Sequence, residues 1–338
     1  MEIISDPKQK REVADMTDGW GRKIDYLRLS ITDRCNLRCQ YCMPKEGITC
    51  LSHEDILRYD EMVRIVRIMA ELGLKKVRIT GGEPLVRKHV EVLVRELRAI
   101  ETIEAIGMTT NGLLLESKLD VLGKAGVDSF NISLDSLHPK TYEAWTRGGD
   151  VRKVLRLLKR LRHAPFRVKI NCVAMQQNRD SILDIARIAK DNPFDVRFIE
   201  MMPMGEGRRF DPLMQEDIMH LLEAEFGPAA LSEQKHGHGP AHYVDFQGFC
   251  ASIGFINALS HGFCHACNRV RLTAEGDLKL CLNFDQGISL KTLLRSGAED
   301  DEMKRQIISA MKEKPKEHAF GQAALMQQEQ KGMSQIGG

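Results

Sequence analysis

Six strand-like segments alternate with amphipathic helix-like segments between residues 24 and 202, and this alternation most constrains the fold. Repeated strand–helix units predict a parallel sheet in which each helix crosses from one strand to the next. The helical pattern is clearest in residues 60–72 and 151–161, where apolar side chains recur on one side. The predicted strands are 24–32, 75–80, 103–109, 127–134, 166–174 and 195–202.

One face of these strands is apolar and the other is polar and largely basic. In the first strand Leu27 and Leu29 share a face, and Arg28 lies on the other. A doubly wound sheet is covered by helices on both faces and would show nearly continuous apolar runs. An α/β barrel or partial barrel with a polar lumen explains the alternation better. The basic lumen residues, which suit an anionic ligand, are Arg28, Lys76, Arg78, Arg167 and Lys169.

Charge and composition exclude several classes of protein. Lys and Arg exceed Asp and Glu by 49 − 47 = 2, which gives no reason to expect binding to nucleic acid or to a membrane surface. The chain starts without an apolar targeting segment and has no apolar run of about 18 residues, so we expect a cytoplasmic protein without a membrane span. Its nine cysteines are then not expected to form disulfides. Three scattered ones are interpreted as small buried side chains: Cys50, Cys172 and Cys250.

The first group of cysteines, Cys35, Cys39 and Cys42, follows the first predicted strand with the spacing C-x3-C-x2-C. Three thiolates on one loop can bind three irons of a cubane cluster and leave the fourth iron open to a small molecule. Zinc is the alternative, but structural zinc takes four ligands and the nearest histidine is His53. We therefore predict an iron–sulfur cluster at this loop.

A second group consists of Cys264, Cys267 and Cys281. The segment between the last two predicts a hairpin that turns at residues 275–277. If Thr273 pairs with Leu278, then Val270 pairs with Cys281, which brings the three thiols together. A zinc site with three cysteines and either His261 or His265 remains open on ligand spacing alone. Arg269 and Arg271 share one face of the same strand, where two guanidiniums suit a phosphate or a purine edge.

The pattern changes after residue 205. A helix-like stretch at 212–225 leads to a Gly/His-rich segment at 235–243, which we interpret as a surface loop rather than a metal site. The histidines of this segment are His236, His238 and His242. The final stretch, 320–338, is rich in Gln and ends in two glycines.

Gly81-Gly82-Glu83-Pro84 ends the second predicted strand. Adjacent glycines let a ligand approach the backbone, although a turn with Pro84 at the first helical position is the plainer explanation. Together with C-x3-C-x2-C, this motif resembles the radical S-adenosylmethionine (SAM) superfamily. In that superfamily the open iron binds SAM, which is cleaved to methionine and a 5′-deoxyadenosyl radical.

With both cysteine groups in place, the chain resembles the GTP 3′,8-cyclase family over about residues 20–338. The resemblance is carried by LRLSITDRCNLRCQYCMP, VRITGGEPLVRK, TTNGLLL, NISLDSL, RFIEMMP, C-x2-C-N-R-V-R and the terminal Gly-Gly. It implies an N-terminal segment (1–23), a partial (β/α)6 barrel (24–205) and a small α+β C-terminal domain (206–338) with a second four-iron cluster. The implied activity is that of a lyase, which converts GTP to (8S)-3′,8-cyclo-7,8-dihydroguanosine 5′-triphosphate in the first step of molybdenum cofactor biosynthesis.

The resemblance also implies cofactors, partners and site residues. The cofactors are SAM and two 4Fe-4S clusters, the partners are GTP and an electron donor, and a homodimer is compatible with the pattern. The positions that match SAM ligands are Tyr41, Gly82, Glu83, Ser133 and Met202. The positions that match GTP ligands are Arg28, Arg78, Thr109, Lys169, Arg269, Val270 and Arg271. The positions expected to serve catalysis are Arg28, Arg269, Arg271, Gly337 and Gly338.

Two other functions remain open from the sequence. One is a different radical SAM enzyme with an auxiliary cluster, such as a peptide-modifying maturase, although those usually carry more cysteines in their C-terminal part. The other is a zinc-stabilised module that holds a nucleotide in its basic lumen without chemistry.

Overall fold

The computed structural model describes residues 15–234, 236–237, 239–320, 329 and 331–337. Its central part is a parallel sheet whose strands are β1 (Tyr26–Ser30), β2 (Lys76–Thr80), β3 (Ala105–Thr110), β4 (Ser129–Ser133), β5 (Arg167–Ala174) and β6 (Asp195–Glu200). The helices between these strands are α1 (Tyr59–Glu71), α2 (Val90–Arg98), α3 (Leu119–Ala125), α4 (Pro139–Thr146), α5 (Val151–Leu161) and α6 (Ile182–Asp191).

The C-terminal part extends this sheet at both edges. Its elements are α7 (Gln215–Phe226), β7 (Ala229–Leu231), β8 (His242–Phe246), β9 (Ile253–Ile256), β10 (Arg269–Leu272), β11 (Asp277–Lys279), β12 (Gly287–Ser289), α8 (Leu290–Arg295), α9 (Asp300–Lys312) and α10 (Met333–Ile336). The strand order is β12-β11-β10-β1-β2-β3-β4-β5-β6-β9-β8-β7. The sheet does not close, so the barrel is partial, as predicted. The domain boundary at 205/206 stays a prediction.

The strand predictions are confirmed because the apolar face and the polar face separate as expected. Each of the six predicted strands forms within two residues of its predicted limits, and helix α5 has the predicted limits. Leu27 and Leu29 are fully buried in the core between the sheet and the helices. Among the helices of the described residues, none is both long and apolar enough to cross a bilayer.

The predicted register of the β10–β11 hairpin is wrong by one residue. Leu278 pairs with Leu272 and not with Thr273. The turn is one residue shorter than expected because the Thr273 N–H bonds to the Asp277 carbonyl at 2.9 Å. Gly276 permits this turn, since its backbone is left-handed with φ 96°.

The corrected register improves the predicted cluster site. A shift of one residue moves every side chain to the other face of the strand. Arg271 lies opposite Lys279, so Cys281, two residues further on, belongs to the arginine face and not to the face of Val270. Cys281 and Arg271 indeed line the same cavity.

The interpretation of the scattered cysteines is wrong for two of the three. Cys172 is buried on β5, but Cys50 and Cys250 are exposed. Both exposed thiols lie in connecting segments outside the strands and helices, where the chain runs over the surface.

The lumen has room for the Arg78 guanidinium because a glycine, Gly107, lies opposite it on the next strand. Arg78 on β2 pairs in register with Gly107 on β3, so both belong to the lumen face. A Cβ atom on Gly107 would lie 2.3 Å from Arg78 Cζ. The absent side chain therefore leaves room for the guanidinium, which donates to Tyr26 OH at 3.1 Å.

We expect Gly107→Ala to displace the Arg78 guanidinium with little loss of stability, because the clash is with the end of a flexible side chain. Affinity for inorganic triphosphate, used as an anionic probe, should fall on the order of tenfold, since a lumen cation is displaced. Calorimetry and thermal unfolding measure the two effects. In an Arg78→Ala background the same glycine substitution should add no further loss, and an additive loss would contradict the mechanism.

Candidate active site

Both cysteine groups face one cavity of about 420 Å³ inside the partial barrel. The predicted SAM and GTP positions line the same cavity. Gly337 lies next to this cavity, against Ser30 and Thr80, and Gly338 lies outside the described residues. The structure therefore brings the predicted site residues that it describes together in one place. Their individual roles stay predictions.

The first cysteine group lies on the loop that leaves β1. A turn in which the Cys42 N–H bonds to the Cys39 carbonyl at 2.9 Å brings the last two thiols to the same side. Burial raises the pKa of Cys35 to about 12 and that of Cys42 to about 11. Three partly buried thiolates therefore need a positively charged partner, which an iron cluster supplies. The donor set fits the predicted cluster.

The two glycines of the GGEP motif let this loop pack against the end of β2. Gly82 donates to the Thr32 carbonyl at 2.7 Å, and Glu83 donates to the Arg34 carbonyl at 2.9 Å. A Cβ atom on Gly82 would lie 2.5 Å from Arg34 O. The close approach is thus between two backbone segments, and it fixes the cysteine loop relative to the GGEP motif.

Glu83 is nearly fully buried, and its carboxylate is held by the end of β3. It accepts hydrogen bonds from Thr110 Oγ1 at 2.8 Å and from the backbone N–H of Asn111 at 2.7 Å. Burial raises its pKa to about 7. Glu83 thus lines the cavity as a buried carboxyl group that is fixed by the end of β3.

Tyr41, beside the last cysteine of the first loop, donates to Asp135 Oδ2 at 2.7 Å. Asp135 also accepts from the backbone N–H of Val173 at 2.9 Å, so it ties the loop to β5. Burial raises the pKa of Asp135 to about 6. Asp135 was not predicted as a site residue, although its place on the polar face after β4 was the signal that could have identified it.

In the second cysteine group, Cys264 and Cys267 lie between β9 and β10, and Cys281 follows β11. The Cys267 N–H bonds to the Cys264 carbonyl at 3.1 Å in a short helical turn. Burial alone would raise the pKa of Cys267, but the positive charges of Lys314 and Arg269 outweigh it and hold the pKa below its usual value. This thiol is thus prepared to bind metal as a thiolate.

The histidines that could complete a zinc site are both exposed, namely His261 and His265. Throughout the part of the chain that the structure describes, no three His, Cys, Asp or Glu side chains converge closely enough to hold one metal ion. The thiolates of a cubane bind separate irons and need not converge on a single point. Thiols spread around a cavity therefore suit a cluster better than zinc.

The basic residues of the lumen repel one another, which prepares the cavity for an anion. Burial lowers the pKa of Arg271 well below its usual value, and the charges of Arg28 and Arg269 lower it further. Thr109 Oγ1 is buried and has no hydrogen-bond partner in the described residues. Mutually repelling guanidiniums and a buried hydroxyl suit a phosphorylated ligand.

Lys169 belongs to a polar network at one end of the cavity. Its ammonium contacts Asp195 Oδ2 at 2.9 Å and Tyr243 OH at 2.8 Å. His236 Nδ1 lies 3.1 Å from the same carboxylate oxygen, and its ring stacks on Tyr243. The surface-loop interpretation is therefore wrong for His236, whose side chain is only 8% exposed. His238 lies outside the described residues.

A further cation that was not predicted is Arg197 on β6. It is nearly buried and lines the cavity. Its Nε and Nη2 donate to Asn171 Oδ1 at 2.9 Å and 2.6 Å. Arg197 lies between two apolar residues of β6, and this alternation could have identified it as a lumen residue from the sequence.

The C-terminal tail enters the lumen next to β1 and β2. Arg271 donates to the Gly337 carbonyl. A Cβ atom on Gly337 would lie 2.7 Å from Thr80 Oγ1 and 2.9 Å from Ser30 Cβ. Because the passage is this narrow, a residue larger than glycine would not fit without displacing the strands.

Two family models match the chain, the Radical SAM superfamily over residues 29–189 and Molybdenum Cofactor Synthesis C over residues 194–320. GTP 3′,8-cyclase of Clostridium perfringens is 41% identical over 324 residues, which cover 96% of this chain and 100% of that protein. GTP 3′,8-cyclase of Syntrophomonas wolfei is 43% identical over 330 residues, with the same shares covered.

A solved structure agrees with the fold. The crystal structure of Streptococcus suis SuiB bound to S-adenosylmethionine gives a TM-score of 0.58 at 15% identity and covers 83% of this chain and 68% of that chain. At this identity the likeness concerns the fold alone. The two family models together with the near full-length relatives define the family: the chain belongs to the GTP 3′,8-cyclases of the radical SAM superfamily.

Proposed function

We propose that this protein cyclises GTP to (8S)-3′,8-cyclo-7,8-dihydroguanosine 5′-triphosphate, the first step of molybdenum cofactor biosynthesis. One observation carries the proposal: two separate groups of three cysteines face a single cavity that also contains buried cations. A radical source and a polyanionic substrate can thus meet in one space. The reaction also needs a reductant for the first cluster.

The first cysteine group, Cys35, Cys39 and Cys42, would hold one 4Fe-4S cluster. When bound, the cluster and SAM supply a 5′-deoxyadenosyl radical that removes the 3′ hydrogen of the GTP ribose. Gly82 and Ser133 lie on the wall next to this loop and would contact SAM together with Tyr41, Glu83 and Met202. These residues bind and orient the cofactor, and Asp135 fixes Tyr41.

The second cysteine group, Cys264, Cys267 and Cys281, would hold the other 4Fe-4S cluster next to the GTP site. Arg28, Arg78, Thr109, Lys169, Arg269, Val270 and Arg271 would hold the nucleotide. Cations that grip the triphosphate restrict the motion of the ribose, and such orientation accounts for a large part of catalysis in a cofactor-driven reaction. The tail next to β1 would close the lumen to water.

Anaerobic incubation with SAM, a reductant and GTP tests the proposal. We expect 5′-deoxyadenosine and the cyclised nucleotide in equal amounts, and about eight irons per chain if both clusters have four irons. Cys35→Ala should abolish SAM cleavage because it removes a ligand of the first cluster. Cys281→Ala should lose iron mainly from the second cluster. Zinc in place of iron at the second group, or no product from GTP, would contradict the proposal.

GTP affinity should depend on pH through Lys169. Burial lowers its pKa to about 8 despite the opposing charge of Asp195, so the free protein loses this charge as pH rises through that value. The triphosphate favours the charged form, so affinity should be highest below pH 8 and fall above it, by up to about tenfold per pH unit. Calorimetry on both sides of that pH measures the effect. In Lys169→Arg, which stays charged, the inflection should vanish. If the inflection persists in that variant, Lys169 is not its source.

Deletion of Gly337 and Gly338 should leave iron content and GTP affinity nearly unchanged but remove the cyclised product, because the tail excludes water from the reacting centre. Gly337→Val should also remove the cyclised product, since its Cβ atom would lie less than 3 Å from Thr80 Oγ1 and Ser30 Cβ. Because this clash also presses on β1 and β2, GTP affinity is compared only in the deletion. Product analysis after anaerobic turnover gives the readout. A truncated protein that forms product at the full rate would show that the tail has no catalytic role.

A further inference from the structure

Lys314 is a nearly buried cation that, besides lowering the pKa of Cys267, contacts the segments on which the second cysteine group lies. It follows helix α9, its residue is only 3% exposed, and it lines the same cavity as the second cysteine group. Within the described part of the chain no carboxylate lies within ion-pair distance of its ammonium group. A buried ammonium without an opposite charge is costly, so its presence calls for an explanation.

The ammonium of Lys314 bonds to two backbone carbonyls that flank cluster ligands. It donates to Arg269 O at 3.0 Å and also to Leu280 O. Arg269 follows Cys267 by two residues, and Leu280 directly precedes Cys281. The side chain thus links the two strands that carry these thiols, and it fixes the distance between them.

The backbone of Lys314 is itself held in place. Its N–H bonds to the Met311 carbonyl at 3.1 Å, and its carbonyl accepts from Trp20 Nε1 at 3.1 Å. Arg22 donates to the carbonyls of Pro315 at 2.6 Å and Cys264 at 2.6 Å, so it joins this segment to the first thiol of the group. Because both the N–H and the carbonyl of Lys314 are hydrogen-bonded, its side chain extends from a fixed backbone position.

We propose that Lys314 is a positioning residue for the second iron–sulfur cluster, which holds the strands of Cys267 and Cys281 together and places a positive charge beside the cluster. The inference rests on the cluster proposed above. The anionic cluster and its thiolates would supply the opposite charge that no carboxylate provides. A fixed positive charge favours the more negative, reduced form of a cluster, so Lys314 raises its reduction potential.

The test uses the full chain with Cys35, Cys39 and Cys42 changed to Ala, so that only the second cluster contributes to the signal. Iron content and a redox titration followed by electron paramagnetic resonance are measured anaerobically. Lys314→Met keeps the apolar stem and removes the charge. We expect the reduction equilibrium constant to fall about tenfold, which is about 59 mV for one electron. Lys314→Arg, which keeps the charge and the donors, should remain close to the parent.

Lys312→Met is the matched control, since Lys312 ends the same helix but is exposed. It should change neither iron content nor potential. Selective loss of iron in Lys314→Met that Lys314→Arg restores would support the linking role. An unchanged potential and iron content in Lys314→Met, or an equal shift in the control, would overturn the proposal. A parent protein without iron at this group would instead refute the second cluster itself.

Discussion

Burial of charged groups in the lumen is the constraint on which the rest of the structure depends. The thiols of the first loop have pKa values raised by burial, and Arg271 has its pKa lowered by burial. Burial therefore destabilises the charged form of these thiols and of Arg271 unless a group of opposite charge lies nearby. An iron–sulfur cluster would neutralise the thiolates and a triphosphate would neutralise the cations, so each ligand would offset the cost of burying these charges. The apolar outer face of the sheet, with Leu27 and Leu29 in the core, supplies the stability that permits this arrangement.

Glycines set the distances inside this crowded lumen. Gly82 lets the cysteine loop pack against the GGEP motif, and Gly107 makes room for Arg78. Gly337 passes between Ser30 and Thr80. In each case a Cβ atom would meet another group at less than 3 Å. These three glycines are therefore explained by packing among protein groups. Their contribution to ligand binding is indirect, because they decide where the binding side chains lie.

The sequence predicted the six central strands well because a half-polar strand leaves a period-two pattern that does not depend on distant contacts. The cysteine spacing predicted a metal site at each group, but only the family resemblance implied that the two groups share one active site. Prediction from the sequence failed where distant segments decide the outcome. His236 was assigned to the surface because its segment is rich in Gly and His, yet Asp195 and Tyr243 bury it. The register of the hairpin depended on the left-handed backbone of Gly276, which composition alone does not reveal.

The tail and the second cysteine group are mechanically connected. Glu329 forms a nearly buried ion pair with Lys279 on β11, and Lys331 pairs with Glu275 in the turn of the same hairpin. Breaking one member of a buried pair leaves the other charge uncompensated, which is costly. The segment that leads to Gly337 is therefore fixed to the hairpin that ends in Cys281. Since Arg271 on this hairpin also holds the Gly337 carbonyl, a displaced cluster hairpin would carry the tail with it. The position of the tail and the integrity of the second cysteine group thus depend on the same few contacts.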